Sequence, residues 1–167
     1  GGSGNDLITP SKGTGVATVT AGLGNDKIYY YNDPTNGGNA TPDGFINDNA
    51  NGLRDDIDGG EAQGDKDEIV LLDVGVGAGQ NFTVGNGVSW ARATGFEQIT
   101  AGGDWDNNIS LTFANGLADL GITTIDLTAD TNGSGSNTID LTAEDDQNNA
   151  YVVKGSAHID LLTGGAG

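Results

Sequence analysis

A nine-residue phrase that occurs twice near the start of the chain is the feature that most restricts its fold. Residues 1–9 read GGSGNDLIT and residues 21–29 read AGLGNDKIY, so both fit a frame G-G-x-G-x-D-x-U-x in which U is a large aliphatic residue. Glycines at these positions permit positive φ angles and close backbone approach, which makes the first six residues a turn. The last three residues form a short strand whose middle side chain faces inward. Two such units are therefore expected to form one coil of a parallel β-roll.

The aspartates of the two phrases are the first candidate metal ligands. Asp6 and Asp26 occupy the same frame position and are separated by two units of nine plus a two-residue insertion, Pro10 and Ser11. Stacked coils would place them on one edge, where they can hold one Ca²⁺ together with backbone carbonyls, since calcium takes 6–8 oxygen ligands. The intervening unit, 12–20, has Ala17 at the aspartate position, so no ion is expected on the opposite edge at this rung. The candidate turn residues are Gly2, Gly4, Gly22 and Gly24.

The composition narrows the possible partners. Acidic residues outnumber basic ones by 24 to 6, which gives a formal net charge of −18, so a compact chain repels itself unless cations sit among the carboxylates. Binding a nucleic-acid backbone requires many Lys and Arg residues, and no apolar run approaches the length of a membrane span, so neither partner is expected. Without cysteine and with one histidine, the chain favours a hard cation with oxygen ligands, which points to calcium.

The nonapeptide frame resembles the calcium-binding repeat of the repeats-in-toxin (RTX) proteins. That family contains secreted bacterial toxins, hydrolases, giant adhesins and surface-layer proteins, and the resemblance implies a right-handed parallel β-roll or β-solenoid that forms when it meets extracellular calcium. The clean resemblance covers residues 1–30. A weaker echo at 59–71, GGEAQGDKDEIVL, is similar to the variant that closes a roll in surface-layer proteins and adhesins, and a second echo lies at 155–167. The candidate ligands in these echoes are Gly60, Asp65, Asp67 and Asp160.

Residues 47–58, NDNANGLRDDID, permit a second calcium hypothesis. They align with an EF-hand-like loop that has oxygen-bearing side chains at the usual positions and a glycine at the sixth. The first position is Asn rather than Asp, the last is Asp rather than Glu, and flanking helices are not evident. A calcium loop and a solvated loop therefore both remain open. The candidate ligands are Asn47, Asn49, Asn51, Asp55 and Asp58.

The second half of the chain predicts short strands. Alternating β-branched segments begin at residues 109, 123, 137, 150 and 158, each bounded by Gly, Asn or Asp. We expect them to be successive rungs of a wider parallel solenoid, with Asp126 and Asp140 stacked on its outer face; a wetted acidic surface is favoured there over a second metal row. The glycine-rich stretch between the strands of 69–99 is predicted to be a loop. The chain thus divides into a β-roll start (1–31), a loop insertion (32–58), a degenerate turn with connecting strands (59–103) and a wide-rung solenoid (104–167).

The sequence shows no arrangement of residues typical of a catalytic centre, so an enzyme is not expected. The favoured hypothesis is an all-β, calcium-binding structural segment of an extracellular bacterial cell-surface protein, such as a surface layer, filament or adhesin. Its expected partners are calcium ions and either further repeats of the same protein or other copies of itself. The alternative hypothesis is the calcium-binding C-terminal region of a secreted hydrolase or toxin.

Overall fold

The computed structural model describes residues 1–10, 16–31, 55–60, 63–73, 81–84, 92–103, 105–106, 108–113, 117, 121–131, 135–144, 150–157 and 159–165. All regular secondary structure in these residues is β-strand, as the sequence predicts. The strands are β1 (Leu7–Ile8), β2 (Thr18–Thr20), β3 (Lys27–Tyr31), β4 (Asp56–Asp58), β5 (Glu68–Leu72), β6 (Phe82–Val84), β7 (Ala93–Thr94), β8 (Gln98–Ala101), β9 (Ile109–Thr112), β10 (Thr124–Asp126), β11 (Ser136–Asp140), β12 (Val152–Lys154) and β13 (Ile159–Thr163). Within the described ranges, no helix has the length and apolar character to span a bilayer.

The strands form three parallel sheets. Sheet I has the order β1-β3-β5-β8-β10-β12, sheet II the order β2-β4-β7, and sheet III the order β6-β9-β11-β13. Consecutive strands alternate between sheets I and II from β1 to β5, and between sheets I and III from β8 to β13. Both β6 of sheet III and β7 of sheet II lie between β5 and β8. Parallel pairing follows, because the chain crosses to another sheet before it returns beside an earlier strand.

A row of aliphatic side chains crosses sheet I and anchors the core. Ile28 pairs with Ile8 and Ile69, and Ile99 pairs with Ile69 and Ile125. Ile8, Ile28 and Ile69 are the U positions of the frame and its first echo, and Ile99 and Ile125 continue the same row. Four of the five are at most 2% exposed, and each buried isoleucine contributes about 1.5–3 kcal/mol of transfer free energy.

The predicted strands of the second half are confirmed as β9 to β13, but they do not form one stack. Strands β10 and β12 belong to sheet I, whereas β9, β11 and β13 belong to sheet III. The prediction that Asp126 and Asp140 stack is therefore wrong: they lie in β10 and β11, in different sheets. The physical reason is that the spacing of these segments corresponds to half a coil, since Ser136 lies beside Asn108, 28 residues earlier.

The stretch between β5 and β8 also differs from its prediction as a plain loop. Strand β6 pairs with β9, and β7 pairs with β4, so the chain visits both other sheets before it returns to sheet I. Phe82 and Ala93, which lie in these two strands, are fully buried. Glycine-rich sequence around each short strand concealed the alternation that would have indicated it.

Candidate metal centre

The turns that enter sheet I stack on one another and form one edge of the molecule. Residues 1–6 precede β1, residues 21–26 join β2 to β3, and residues 95–97 join β7 to β8. The segment from Gly59 to Asp67, of which 61 and 62 lie outside the described residues, joins β4 to β5. The residue immediately before each of the first four strands of sheet I, β1, β3, β5 and β8, is acidic, and together these four residues form what we call the acid column: Asp6, Asp26, Asp67 and Glu97.

Backbone hydrogen bonds connect the acid column from coil to coil. The Asp6 N–H donates to Asp26 Oδ1 at 2.7 Å, and the Asp26 N–H donates to Asp67 Oδ1 at 2.7 Å. The Asp67 N–H continues the series by donating to Glu97 Oε2 at 2.7 Å. The structure therefore places Asp6 and Asp26 in adjacent coils on the same edge, and extends their column by two further acids.

The residues that precede Asp6, Asp26 and Asp67 form a second ladder, with hydrogen bonds in the opposite direction. The Asn25 N–H donates to Asn5 Oδ1 at 3.0 Å, and the Lys66 N–H donates to Asn25 Oδ1 at 2.9 Å. The Asn-Asp pair of the phrase thus accepts bonds from both neighbouring coils. The sequence analysis did not predict that the asparagine accepts a hydrogen bond from the next turn, although the Asn-Asp pair recurs in both phrases.

The glycines of the edge are required by close contact between stacked turns. Gly22 has a φ of +114°, and a Cβ added there would lie 2.3 Å from the carbonyl oxygen of Gly2. Gly60 has a φ of +117°, and its Cβ would lie 1.8 Å from the carbonyl oxygen of Gly22. Any side chain at these positions would collide with backbone, so the turns stack only as glycine. A Cβ added at Gly59 would lie 2.3 Å from the Gly95 carbonyl oxygen and 3.1 Å from Asp67 Oδ2, so a carbonyl of the next turn lies near that carboxylate.

Two carboxylate oxygens of the acid column lack a hydrogen-bond partner. Asp26 and Asp67 are both 0% exposed, and their Oδ2 atoms have no partner among the described residues. By contrast, Oδ2 of Asp6 accepts the Gly2 N–H at 3.0 Å. A buried carboxylate oxygen without a partner is costly unless a proton or a cation meets it. Carboxylate oxygens beside backbone carbonyls are the ligands that calcium prefers, so the residues present fit that ion.

Burial beside other acidic groups changes the pKa of Asp67. Burial raises its pKa from the ordinary 3.8 to about 6; the Asp26 N–H opposes this increase, and the charges of Asp65, Glu97 and Asp26 add to it. A raised carboxyl pKa means that the charged form is disfavoured in the folded state relative to the unfolded chain. Without a cation, this group therefore destabilises the folded protein at pH 7, and the penalty disappears as the pH falls below the folded pKa.

Asp55 occupies the equivalent frame position on the opposite edge. It precedes β4 and is 1% exposed; the Ala17 N–H donates to its Oδ1 at 2.9 Å and the Tyr30 hydroxyl to its Oδ2 at 3.3 Å. Burial and the neighbouring Asp55 charge raise the pKa of Tyr30 well above its usual range. Both carboxylate oxygens thus have donors, in contrast to Asp26 and Asp67.

Asp55 and Asp58 are the only predicted ligands of the EF-hand-like alignment that lie within the described residues. Asp58 lies in β4, where its Oδ1 accepts the Gly60 N–H at 3.1 Å. Asp55 and Asp58 therefore bond to different groups. The other three predicted ligands, Asn47, Asn49 and Asn51, lie outside the described residues, so the loop remains a hypothesis.

Asp160 adopts the local geometry of the first phrase but lies elsewhere. Its Oδ2 accepts the Ser156 N–H at 2.8 Å, and a Cβ at Gly155 would lie 2.3 Å from that oxygen. Asp6 matches it, because Gly2 donates to the same atom and a Cβ at Gly1 would lie 2.2 Å away. Since Asp160 belongs to β13 of sheet III, it is not part of the acid column.

The arrangement offers one carboxylate per coil. Within the described part of the chain, no group of three or more His, Cys, Asp or Glu side chains is placed to hold a metal ion. An ion between two coils would instead take two carboxylates and complete its shell with backbone carbonyls. Comparisons with protein-family models, curated proteins and solved structures gave no match to this chain.

Proposed function

We propose that the chain is a calcium-binding structural segment of a secreted bacterial cell-surface protein, a surface layer, filament or adhesin. In this proposal its coils form a right-handed β-roll that widens into a β-solenoid, and extracellular Ca²⁺ orders it. The supporting observation is the pair of buried, unpartnered oxygens on Asp26 and Asp67, within a column of four stacked acids. The resemblance of the phrase to RTX repeats is independent support from the sequence.

Bound calcium would reduce the repulsion among the acidic residues of the chain. A net charge of −18 and 30 glycines in 167 residues leave a chain with strong self-repulsion and few side chains for burial. A divalent ion between neighbouring coils neutralises carboxylates that folding brings together, and its binding free energy is then folding free energy. Extracellular calcium modules bind at about 10⁻⁴–10⁻³ M, so such a segment remains expanded until it reaches the outside of the cell.

The terminal strands support association with further coils. Leu7 in β1 is 69% exposed and Ile159 in β13 is 77% exposed, whereas the aliphatic row inside sheet I is buried. Edge strands with exposed apolar side chains favour the addition of another strand. Neighbouring repeats of the same protein, or a second copy, would cover these surfaces and extend the stack.

Circular dichroism with and without a chelator tests the proposal. We expect weak β signal in excess EGTA, and a cooperative increase in the β signal as calcium rises through about 10⁻⁴–10⁻³ M. Magnesium at the same concentration is the control, because it demands a stricter octahedral shell and releases its water reluctantly. An unchanged β spectrum in excess EGTA would contradict the coupling of calcium binding to folding.

A further inference from the structure

The outward face of sheet I contains a groove that the metal hypothesis does not use. Its volume is about 500 Å³, and it runs across β3, β5, β8 and β10 on the side opposite the core. Tyr29 and Tyr31 line it from β3 and are half-buried, because strand alternation directs Tyr30 between them into the core. The two tyrosines are two residues apart along the strand, so their Cα atoms lie about 7 Å apart on one wall of the groove.

The groove changes from apolar to polar across the sheet. Val70 pairs with Tyr29 and Leu72 with Tyr31, which makes the first side apolar. In the next strands, Thr100 pairs with Val70 and then with Asp126, which makes the second side polar.

Gly102 lets the apolar side chains of the groove pack closely against its backbone. A Cβ at this position would lie 2.3 Å from Leu72 Cδ2 and 2.7 Å from Val70 Cγ1. Both aliphatic side chains thus lie over the backbone of a residue that has no side chain of its own.

The charged groups of the groove neutralise one another. Lys27 forms an ion pair with Glu68 at 2.5 Å, and Lys154 forms one with Asp126 at 2.7 Å. These pairs use two of only six basic residues in a chain with 24 acidic ones. A locally neutral surface on such a polyanion does not favour an ionic ligand.

Hydroxyl groups also hold the two carboxylates in place. Thr100 Oγ1 donates to Glu68 Oε2 at 2.9 Å, and Thr128 Oγ1 donates to Asp126 Oδ1 at 2.6 Å. A carboxylate has about four acceptor sites, so both acids retain capacity to accept further hydrogen bonds. The polar side therefore presents oriented acceptors whose charge is already balanced.

We propose that this groove binds an uncharged saccharide. A sugar ring has an apolar C–H face that packs on a tyrosine ring and a rim of hydroxyls that donate to fixed carboxylates, which matches the two sides of the groove. A volume of about 500 Å³ is within the usual range for small-ligand pockets and suits one or two sugar rings. The inference goes beyond the proposed structural function, and the acid column is not part of the site.

NMR titration of the whole calcium-loaded chain with maltose, cellobiose and lactose tests the proposal. We expect saturable shifts confined to the groove residues, with dissociation constants of about 1 mM or weaker. Tyr29→Ala should weaken binding about 3- to 10-fold, the usual value of an aromatic contact, while Tyr29→Phe, which keeps the ring, should bind like the parent. Val152→Ala, on the same sheet face but outside the groove, is the control and should also bind like the parent.

A second variant keeps the test independent of whether Tyr29→Ala folds. Thr100→Val keeps the shape of a β-strand side chain and removes a hydroxyl that fixes Glu68, so binding should weaken while Lys27 still pairs with the acid. The absence of saturable shifts with all three disaccharides would overturn the proposal. So would tighter binding of a uronic-acid disaccharide that is lost in salt, or a concentration-dependent dimer that covers the groove.

Discussion

Asp67→Asn should stabilise the folded state without calcium and should lose that advantage with calcium. The amide retains an oxygen to accept the Asp26 N–H, and it removes a buried charge. The pKa of Asp67 is raised from 3.8 to about 6, which corresponds to roughly 1–3 kcal/mol of charge-related destabilisation at pH 8 once solvent near the edge is allowed for. Without calcium, the variant should therefore favour the folded state by about that amount.

With calcium, the same substitution removes a ligand. An ion at 100 times its dissociation constant stabilises the folded state by about 2.7 kcal/mol, so loss of one site costs about that much. In calcium the variant keeps its gain of roughly 1–3 kcal/mol but lacks the binding contribution of about 2.7 kcal/mol, so its advantage over the parent in EGTA should shrink to near zero or reverse.

The two conditions require different assays. In EGTA at pH 8, folding can be induced with trimethylamine N-oxide, which favours the compact state, and the midpoint followed by circular dichroism. In 10 mM calcium, a concentration about 100 times a dissociation constant of about 10⁻⁴ M, urea unfolding gives the free energy of unfolding. Asp140→Asn is the matched control, because it removes one charge from β11, outside the acid column. Equal calcium responses of the two variants, or a less stable Asp67→Asn in EGTA, would refute the reasoning.

Three further predictions concern the turns, the core hydroxyl and pH. Gly60→Ala should destabilise the calcium-loaded protein by about 3–5 kcal/mol in urea unfolding, because a Cβ there would lie 1.8 Å from a backbone oxygen. Gly64→Ala is the control: its φ is +95° but nothing lies within 4 Å of the added Cβ, so it should cost only about 1 kcal/mol. Equal costs would contradict the stacking of turns. Tyr30→Phe should lower the free energy of unfolding by about 1–3 kcal/mol, since it removes the hydroxyl that donates to the buried Asp55 carboxylate. Tyr29→Phe should change it by less than about 0.5 kcal/mol. Equal stabilities of the two variants would refute a stabilising role for the Tyr30 hydroxyl. In EGTA, the concentration of trimethylamine N-oxide needed for folding should fall as the pH is lowered from about 8 to 5. The penalty from the raised pKa of Asp67 decreases as the pH falls through about 6 towards 3.8, and a midpoint that rises over this range would contradict the prediction.

The sequence predicts the first coil well because its constraints are local. Glycines at fixed offsets specify a turn that crowds backbone against backbone, and the aliphatic residue at the U position specifies a buried strand centre. Both β1 and β3 begin directly after the frame aspartate, and Ile8 pairs with Ile28 as the frame requires. The neighbouring positions of Asp6 and Asp26 follow from the same spacing.

Coil length explains what the sequence did not predict. A segment spacing near 14 residues fits either one narrow coil or half of a wide one, and only the pairing of β9 with β11 decides between them. The contact between Tyr30 and Asp55 is equally hard to predict, because it joins a residue of β3 to the residue before β4, 25 positions later in the chain. The place of Glu97 in the acid column was not predicted, because its three-residue turn retains only Gly95 of the glycine frame.

Anomalous diffraction from crystals grown in calcium tests the central claim most directly, because it locates the ions themselves. We expect anomalous peaks beside Asp26 Oδ2 and Asp67 Oδ2, each with oxygen neighbours at about 2.3–2.6 Å from stacked coils. A folded chain in calcium with no peak along the acid column would contradict the claim that a divalent ion neutralises these carboxylates.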